Sequence, residues 1–283
     1  MKIGMNTLLW TTQVTEKHFP LLEELKQAGF DGVEIYVGQD DPHHYQEINR
    51  ELLNLGLECT TVIAVDGETN PISPDSRVRR AAVERLKRAI EMSNILGSQV
   101  LCGPFHSALG VFSGEGPRPE EERRCAEVLR QAAAYAKRLD LVLAVEHLSR
   151  FDCYLLNTTA QCRNLVRRVG HPALRLLYDT HHAHIEEQRV SEAIEGAAAE
   201  IGHVHLSEND RGVPGRGQVN WVESFRSLHR IAYDRWLVIE SFSRLDPGFA
   251  SAAHIWRDCF SSPEEVYREG IAFVRKMWNE TAL

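Results

Sequence analysis

Features that define several classes of protein are missing from this sequence. No apolar run approaches the roughly 20 residues that a membrane-spanning helix requires, so we expect no association with a membrane. The N-terminal residues MKIGMNTLLW lack the long apolar stretch and the small-residue cleavage site of a signal peptide. We therefore expect a cytoplasmic location.

The sequence also lacks an excess of basic residues and lacks closely spaced cysteine pairs. Lys and Arg number 32 against 40 Asp and Glu, which gives a net charge of -8. A non-specific nucleic-acid binder needs a basic face that releases counterions, so we expect no nucleic-acid partner. The cysteines contain no CxxC pair, which predicts reduced, mostly buried thiols and no thiolate zinc site; they are Cys59, Cys102, Cys125, Cys153, Cys162 and Cys259.

The composition and length favour one folded domain that spans residues 1–283. Hydrophobic residues make up 43% and charged residues 25% of the chain, which is typical of a globular protein. No linker or low-complexity segment divides it. The sequence also lacks a GxGxxG after its first apolar run, and it contains no Walker A, GxSxG or HExxH motif.

Short apolar runs recur along the whole chain, each following an amphipathic stretch. They are continuous rather than alternating, which indicates strands buried on both faces. The predicted strands are Lys2–Asn6, Gly32–Val37, Cys59–Val65, Ser98–Gly103, Leu141–Glu146, Leu174–Asp179, Ile201–Ser207 and Trp236–Ser241.

Helix signals lie between these runs. Gly29 is a predicted C-cap and Asp75 a predicted N-cap. The delimited helices are Glu16–Ala28, Asp75–Leu96, Pro117–Arg138, Thr158–Val169, Val190–Ala199, Val222–Ile231 and Ser262–Met277. With one further helix that is not delimited, eight strands alternate with eight helices at about 35 residues per unit, which predicts a single-domain (β/α)8 TIM barrel. The long segments that follow strands, including Asn209–Asn220 and Ser243–Ser261, are predicted to be irregular.

Four polar residues end the last four apolar runs. They are Glu146, Asp179, His205 and Glu240, separated by 33, 26 and 35 residues. Each separation is about one βα unit, so the four side chains are predicted to meet at the rim where a barrel keeps its site. Three carboxylates there would repel one another. One divalent cation would relieve that repulsion, and the donor set suits Mn²⁺, Mg²⁺ or Co²⁺, with Zn²⁺ left open.

Further polar residues lie near these four in the sequence. We predict functional roles for His182 and His205, and structural or supporting roles for His181, His184 and His203. Arg211 follows the seventh strand and is an even choice between a site residue and a solvated loop residue. For Glu34, on the second strand, a structural role in the barrel interior is favoured over support of the site.

Several of these segments carry a family resemblance. EHLSRFD from Glu146, YDTHHAHIEE from Tyr178, GHVHLSENDRGVPGRGQVNW from Gly202 and VIESF from Val238 resemble the ketose 3-epimerases. That family includes the D-tagatose and D-allulose 3-epimerases and belongs to the xylose isomerase-like TIM barrel superfamily. The resemblance covers nearly the whole chain, from FDGVEI at Phe30 to IWRD at Ile255.

The resemblance implies roles for seven residues. Glu146, Asp179, His205 and Glu240 match the metal ligands, of which Glu146 and Glu240 also match the acid/base pair. His182 and Arg211 match residues that contact the substrate oxygens, and Asp152 falls where the family usually carries a substrate-binding Glu. Ser149 replaces a common Asn. Mn²⁺ is the favoured ion, with Co²⁺ or Mg²⁺ as alternatives, and the family implies a homodimer or homotetramer.

The implied reaction is inversion of C3 in a free ketose of the D-tagatose, D-fructose, D-allulose or L-ribulose type through a cis-enediolate. One carboxylate would remove the C3 proton and the other would deliver a proton to the opposite face. The departures at Ser149 and Asp152 keep open an epimerase of keto-glycosides or keto-acid sugars, or an aldose–ketose isomerase. An apurinic-site endonuclease is disfavoured by the acidic charge and by the absence of histidine at the third strand end. A non-catalytic sugar-binding barrel is disfavoured by the four intact ligand matches.

Overall fold

The computed structural model describes residues 1–282 and contains a closed barrel of parallel strands. The strands are β1 (Lys2–Asn6), β2 (Gly32–Tyr36), β3 (Glu58–Val62), β4 (Val100–Gly103), β5 (Val142–Glu146), β6 (Leu174–Asp179), β7 (Ile201–Leu206) and β8 (Trp236–Ile239). They follow one another around the barrel in chain order, and β1 pairs with β8 to close it. The predicted (β/α)8 fold is confirmed, and predicted boundaries of strands and delimited helices differ from those observed by at most three residues.

Helices surround the barrel. Over residues 1–282 they are α1 (Phe19–Ala28), α2 (Pro42–Leu55), α3 (Ser76–Ile95), α4 (Pro119–Lys137), α5 (Thr159–Val169), α6 (Thr180–Glu186), α7 (Val190–Gly196), α8 (Trp221–Arg230), α9 (Pro247–Ala252) and α10 (Pro263–Glu280). Gly29 ends α1 in the left-handed conformation, and the Asp75 side chain accepts a hydrogen bond from the N–H of Arg77. Both predicted caps are therefore present.

Three helices fall outside the delimited predictions. Helix α2 buries Tyr45, Ile48 and Leu52 and begins at Pro42 after Asp41, whose carboxylate accepts from the N–H of His43. That cap and proline were a readable start signal. Helices α6 and α9 are short, and α9 shows that the prediction of an irregular Ser243–Ser261 segment was wrong in part. Its start is fixed by Asp246, which caps the N–H of Phe249.

Two layers of apolar side chains stabilise the barrel. The larger one packs the outer face of the sheet against the helices, and the smaller one fills the barrel interior around Cys102, Leu177 and Val238, with Trp236 at its amino-terminal end. Gly32 must lack a side chain, because a Cβ there would lie 2.4 Å from the carbonyl oxygen of Glu58 and 2.7 Å from the Trp236 ring.

The cysteines have the burial that their spacing in the sequence predicts. Five of the six cysteines are buried, Cys259 is half-buried, and none is paired within residues 1–282. In this same range, every helix is too short or too polar to cross a membrane.

Candidate active site

The four predicted ligands meet at the carboxyl end of the barrel. Glu146 and Asp179 are the last residues of β5 and β6, His205 is next to last in β7, and Glu240 follows β8 directly. Asp179 pairs with His205 in the β6–β7 register. One ligand atom from each of the four side chains lies within 4.8 Å of the other three, and all four residues are buried.

The distances inside this cluster suit a bridging ion better than direct hydrogen bonds. His205 Nδ1 lies 3.8 Å from Glu146 Oε1, 3.8 Å from Asp179 Oδ2 and 3.3 Å from Glu240 Oε1. Two ligands that bond one ion at about 2.2 Å, at angles of about 90–120°, lie roughly 3.1–3.8 Å apart. Within residues 1–282, His205 Nδ1 and Asp179 Oδ2 are buried and have no hydrogen-bond partner. The donor set therefore fits a divalent metal ion.

The carboxylates of the cluster affect one another's ionisation. Burial raises the pKa of Glu146 well above its usual range, and the nearby Glu240 and Asp179 raise it further. Burial likewise raises the pKa of Asp179 to about 6. At Glu240 burial acts in the same direction, but His205 and Arg211 outweigh it and lower the pKa. A cation among these groups would stabilise all three as carboxylates.

Arg211 reaches over the cluster from the loop after β7. Its Nη1 donates to Ser207 Oγ at 2.8 Å and to Glu240 Oε2 at 2.7 Å. The guanidinium carbon lies 4.6 Å from the centre of the Phe242 ring, which adds a cation–π contact. The Arg211 backbone is in the left-handed region, with φ of 62°. This conformation is uncommon for residues other than glycine and is frequent at functional sites.

His182 and Arg211 face each other with two hydrogen-bond donors. The N–H of Ser149 donates to His182 Nδ1 at 2.9 Å, and burial together with Arg211 lowers the pKa of His182 well below its usual range. The neutral ring therefore carries its proton on Nε2. That atom lies 3.1 Å from Arg211 Nη2, which also can only donate. An oxygen acceptor between the two groups would satisfy both.

Asp152 lies on the other side of His182. Its Oδ2 accepts a hydrogen bond from Ser149 Oγ at 2.6 Å and is 3.9 Å from His182 Nδ1. The Asp152 side chain is 36% exposed, so it is accessible from the mouth of the barrel. The fold thus brings all seven predicted site residues into one region, and their functional roles remain predictions.

The remaining predicted residues are distributed less uniformly. His184 is exposed, whereas His181 contacts the Glu208 carbonyl oxygen and His203 contacts Glu34. Among the residues that lie in segments at strand ends, Phe105 and His106 are buried, Leu109 and Phe112 are exposed, and Trp10 packs against Tyr267.

Sequence reasoning missed four polar or aromatic residues that touch the site. Asn6 Nδ2 donates to Glu240 Oε1 at 3.1 Å, and Ser207 and Phe242 contact Arg211. Glu208, which is fully buried, accepts hydrogen bonds from the N–H groups of Asn209, Gly215 and Val219 and from the Trp221 indole. All four residues lie at or shortly after strand ends, and this position is the sequence signal that could have identified them.

Known proteins share both the sequence and the fold of this chain. The profile of the xylose isomerase-like TIM barrel family matches residues 22–277. A probable ketose 3-epimerase from Synechocystis is 32% identical over 98% of this chain and 97% of its own length. A structure of L-ribulose 3-epimerase superposes with a TM-score of 0.93 at 28% identity, covering 99% and 95% of the two chains.

A structure of D-psicose 3-epimerase with D-tagatose from Clostridium cellulolyticum has a TM-score of 0.91 at 26% identity and covers both chains completely. The chain therefore belongs to the xylose isomerase-like TIM barrel family and, within it, to the ketose 3-epimerases. Enzymes of this family are isomerases, so the predicted enzyme class is confirmed.

Proposed function

We propose that this protein is a metal-dependent 3-epimerase that acts on a free ketose of the D-tagatose, D-fructose, D-allulose or L-ribulose type. One observation supports the proposal most directly. A buried cluster suited to a divalent ion lies beside two N–H donors, from His182 and Arg211, whose nitrogens face each other at 3.1 Å. A polyhydroxy ketone is a ligand that offers oxygens to both.

Glu146, Asp179, His205 and Glu240 would hold the ion. Mn²⁺ is the preferred candidate, with Co²⁺ or Mg²⁺ as alternatives, because three carboxylates and one imidazole form a mainly hard donor set. When bound, such an ion polarises the C2 carbonyl and stabilises negative charge on the substrate oxygens.

Glu146 and Glu240 are the proposed proton-transfer groups. They come from strands three places apart in the barrel, and their ligand oxygens lie within 4.8 Å of each other. One removes the C3 proton to give an enediolate, and the other returns a proton to the opposite face.

His182 and Arg211 are the proposed donors to the substrate oxygens. Because His182 is held with its proton on Nε2 by the Ser149 N–H, it presents a fixed donor to the pocket. Arg211 carries a full positive charge beside the position where charge would develop on oxygen, which favours the enediolate over the ketose.

Asp152 is the proposed contact to the more distant part of the sugar. Its carboxylate ends one methylene short of the Glu that the family resemblance implies at this position, and it is bonded to Ser149. A change of one methylene shifts specificity by roughly 1–3 kcal/mol. Substrate preference is therefore expected to depend on Asp152 more than on the metal ligands.

The decisive experiment is a turnover assay in D₂O with those four ketoses, with Mn²⁺ and after chelation. NMR of the products gives both the identity of the sugar and the position of deuterium. We expect metal-dependent label at C3 together with the C3 epimer. Absence of label with every ketose would contradict the proposal and would move the substrate to a keto-glycoside or a keto-acid sugar. An aldose product would instead indicate a 1,2-isomerase.

Substitutions test the assigned roles in the same assay. Glu146→Gln and Glu240→Gln should each lower kcat by at least about 100-fold, since each removes one proton-transfer group. Glu23→Gln, an exposed change on α1, is the matched control and should leave kcat within twofold. Retained turnover in either variant of the pair would contradict the acid/base assignment.

We further infer a homodimer or homotetramer, which light scattering on the purified protein tests directly. The cytoplasmic location remains a prediction from the sequence.

A further inference from the structure

Glu34 lies at the centre of a second buried cluster, inside the barrel. It belongs to β2, is fully buried, and is surrounded by donors. The contacts are Asn6 Nδ2 at 3.0 Å, Thr60 Oγ1 at 2.9 Å, Cys102 Sγ at 3.1 Å, His203 Nε2 at 2.8 Å and His205 Nε2 at 2.7 Å. No step of the proposed reaction uses this carboxylate.

The geometry of this second cluster argues against a second metal ion. Glu34, Cys102, His203 and His205 offer ligand atoms within 4.8 Å of one another. However, the carboxylate oxygens of Glu34 lie only 2.7 and 2.8 Å from the two imidazole nitrogens, which is a direct N–H···O distance. Ligands around one ion at about 2.2 Å would lie roughly 3.1–3.8 Å apart. Direct N–H···O contacts therefore hold this cluster together.

The contact between Glu34 and His205 determines which nitrogen of His205 faces the metal ligands. A lone pair on Nε2 would be repelled by a carboxylate oxygen at 2.7 Å, so Nε2 carries the proton. Nδ1 is then the nitrogen left to bind a metal ion, and it lies 3.3–3.8 Å from the three carboxylates of the predicted metal centre.

A second connection runs from Glu34 through Asn6. The Asn6 amide donates to Glu34 Oε1 at 3.0 Å and to Glu240 Oε1 at 3.1 Å. The side-chain oxygen of Asn6, Oδ1, accepts a hydrogen bond from the N–H of Leu8. This contact fixes the side-chain amide with its nitrogen toward the two carboxylates. Glu34 thus contacts one predicted ligand directly and reaches a second through one side chain.

We propose that Glu34 is a positioning residue of the metal centre, which holds His205 as the Nε2-protonated tautomer and, through Asn6, orients Glu240. This inference rests on the proposed function, because it assumes that His205 and Glu240 bind the ion. It differs from the sequence-based interpretation of Glu34 as a structural residue, since it assigns the carboxylate a measurable effect on metal affinity.

Glu34→Gln is the direct test. His203 and His205 contact different oxygens of the Glu34 carboxylate, and the amide keeps only one of the two, so it cannot accept from both rings. If its NH₂ group faces His205, the ring proton moves to Nδ1 and that nitrogen no longer binds metal. Carboxylates that orient a metal-binding histidine typically contribute 10–100-fold to affinity. We expect the Kd for Mn²⁺, measured from the EPR signal of free Mn²⁺, to rise by about that factor.

Thr61→Val is the matched control. Thr61 is a buried polar residue next to Thr60 on β3, but its hydroxyl lies 2.7 Å from Ser93 Oγ and bonds to the Val100 carbonyl, on the face away from Glu34. This variant should leave the Kd for Mn²⁺ within twofold. An equal loss of affinity in both variants, or no loss in Glu34→Gln, would overturn the proposal.

A measurement on the unsubstituted protein covers the case in which Glu34→Gln does not fold. In ¹⁵N-histidine-labelled protein saturated with Mg²⁺, with His205 assigned from the spectrum of His205→Asn, Nε2 should be protonated and Nδ1 should not. A proton on Nδ1 would overturn the inference. If the unsubstituted protein bound no Mn²⁺, the proposed function itself would fail, whereas equal binding by both proteins would contradict only the role of Glu34.

Discussion

The charge of Asp179 should destabilise the metal-free protein above about pH 6, and the substitution Asp179→Asn should remove that effect. Asp179 is fully buried among Glu146, Glu240 and His205, and burial raises its pKa to about 6. An aspartate in an unfolded chain has a pKa of about 4. The folded protein therefore holds the Asp179 proton more tightly than the unfolded chain does.

The sign and the size of the effect follow from this difference. The Asp179 proton stabilises the folded, metal-free protein to its full extent below about pH 4. This stabilisation is lost as the pH rises through about 6. Two pKa units correspond to roughly 3 kcal/mol of unfolding free energy. For a chain of this size that is a shift in Tm of roughly 6–12 °C.

Asparagine preserves the local structure at this position. Asp179 Oδ1 caps α6 by accepting from the N–H groups of His181 and His182, and Asn is an equally good N-cap. Between pH 4 and pH 7 the chelated wild type should therefore lose roughly 3 kcal/mol more stability than chelated Asp179→Asn.

Urea unfolding at a series of pH values, with a chelator present, measures this difference. Asp140→Asn is the control, because the Asp140 side chain is 91% exposed, and its pH profile should match that of the wild type. Saturating Mn²⁺ at pH 7.5 should raise the Tm of the wild type and have little effect on Asp179→Asn. Parallel pH profiles for the wild type and Asp179→Asn would refute the reasoning.

Three further substitutions test other parts of the molecule. In Arg211→Lys the ammonium cannot reproduce the several contacts of the guanidinium. Steady-state kinetics should therefore show kcat/KM lowered about 100-fold, whereas EPR should show a Kd for Mn²⁺ that changes less than threefold. Glu208→Gln replaces an acceptor of four N–H donors, so the free energy of unfolding measured in urea should fall by about 1–3 kcal/mol. KM should rise, because the loop that carries Arg211 is held less firmly. Gly32→Ala places a Cβ 2.4 Å from the Glu58 carbonyl oxygen and should lower the free energy of unfolding by at least about 1–3 kcal/mol. The loss should exceed that in Gly4→Ala, where the nearest contact of the Cβ is 3.1 Å. Unchanged stability of Gly32→Ala would contradict the packing at this end of the barrel.

The sequence alone determined the barrel and the common rim at which the four predicted ligands lie. Continuous apolar runs mark strands that are buried on both faces, and this property depends only on neighbouring residues. Because parallel strands end at the same rim, a polar residue at the end of each of four successive runs already places Glu146, Asp179, His205 and Glu240 together.

The sequence also contains local signals for a helix outside the predicted set. Helix α2 begins with a capped proline and buries one face, as a helix of this kind should. Helix α9 is six residues long and lies in an otherwise irregular loop, and so short an element has too little periodicity to be recognised.

Only the tertiary structure decided how the site residues face one another. Asn6 is 234 residues away from Glu240 in sequence and His203 is 169 residues from Glu34, so their contacts depend on closure of the barrel. The tautomer of His205 and the facing donors of His182 and Arg211 are likewise set by atoms on separate strands and loops. Periodicity reports which face of a strand is buried, whereas the proton on a ring nitrogen depends on an acceptor that only the folded chain brings within 3 Å.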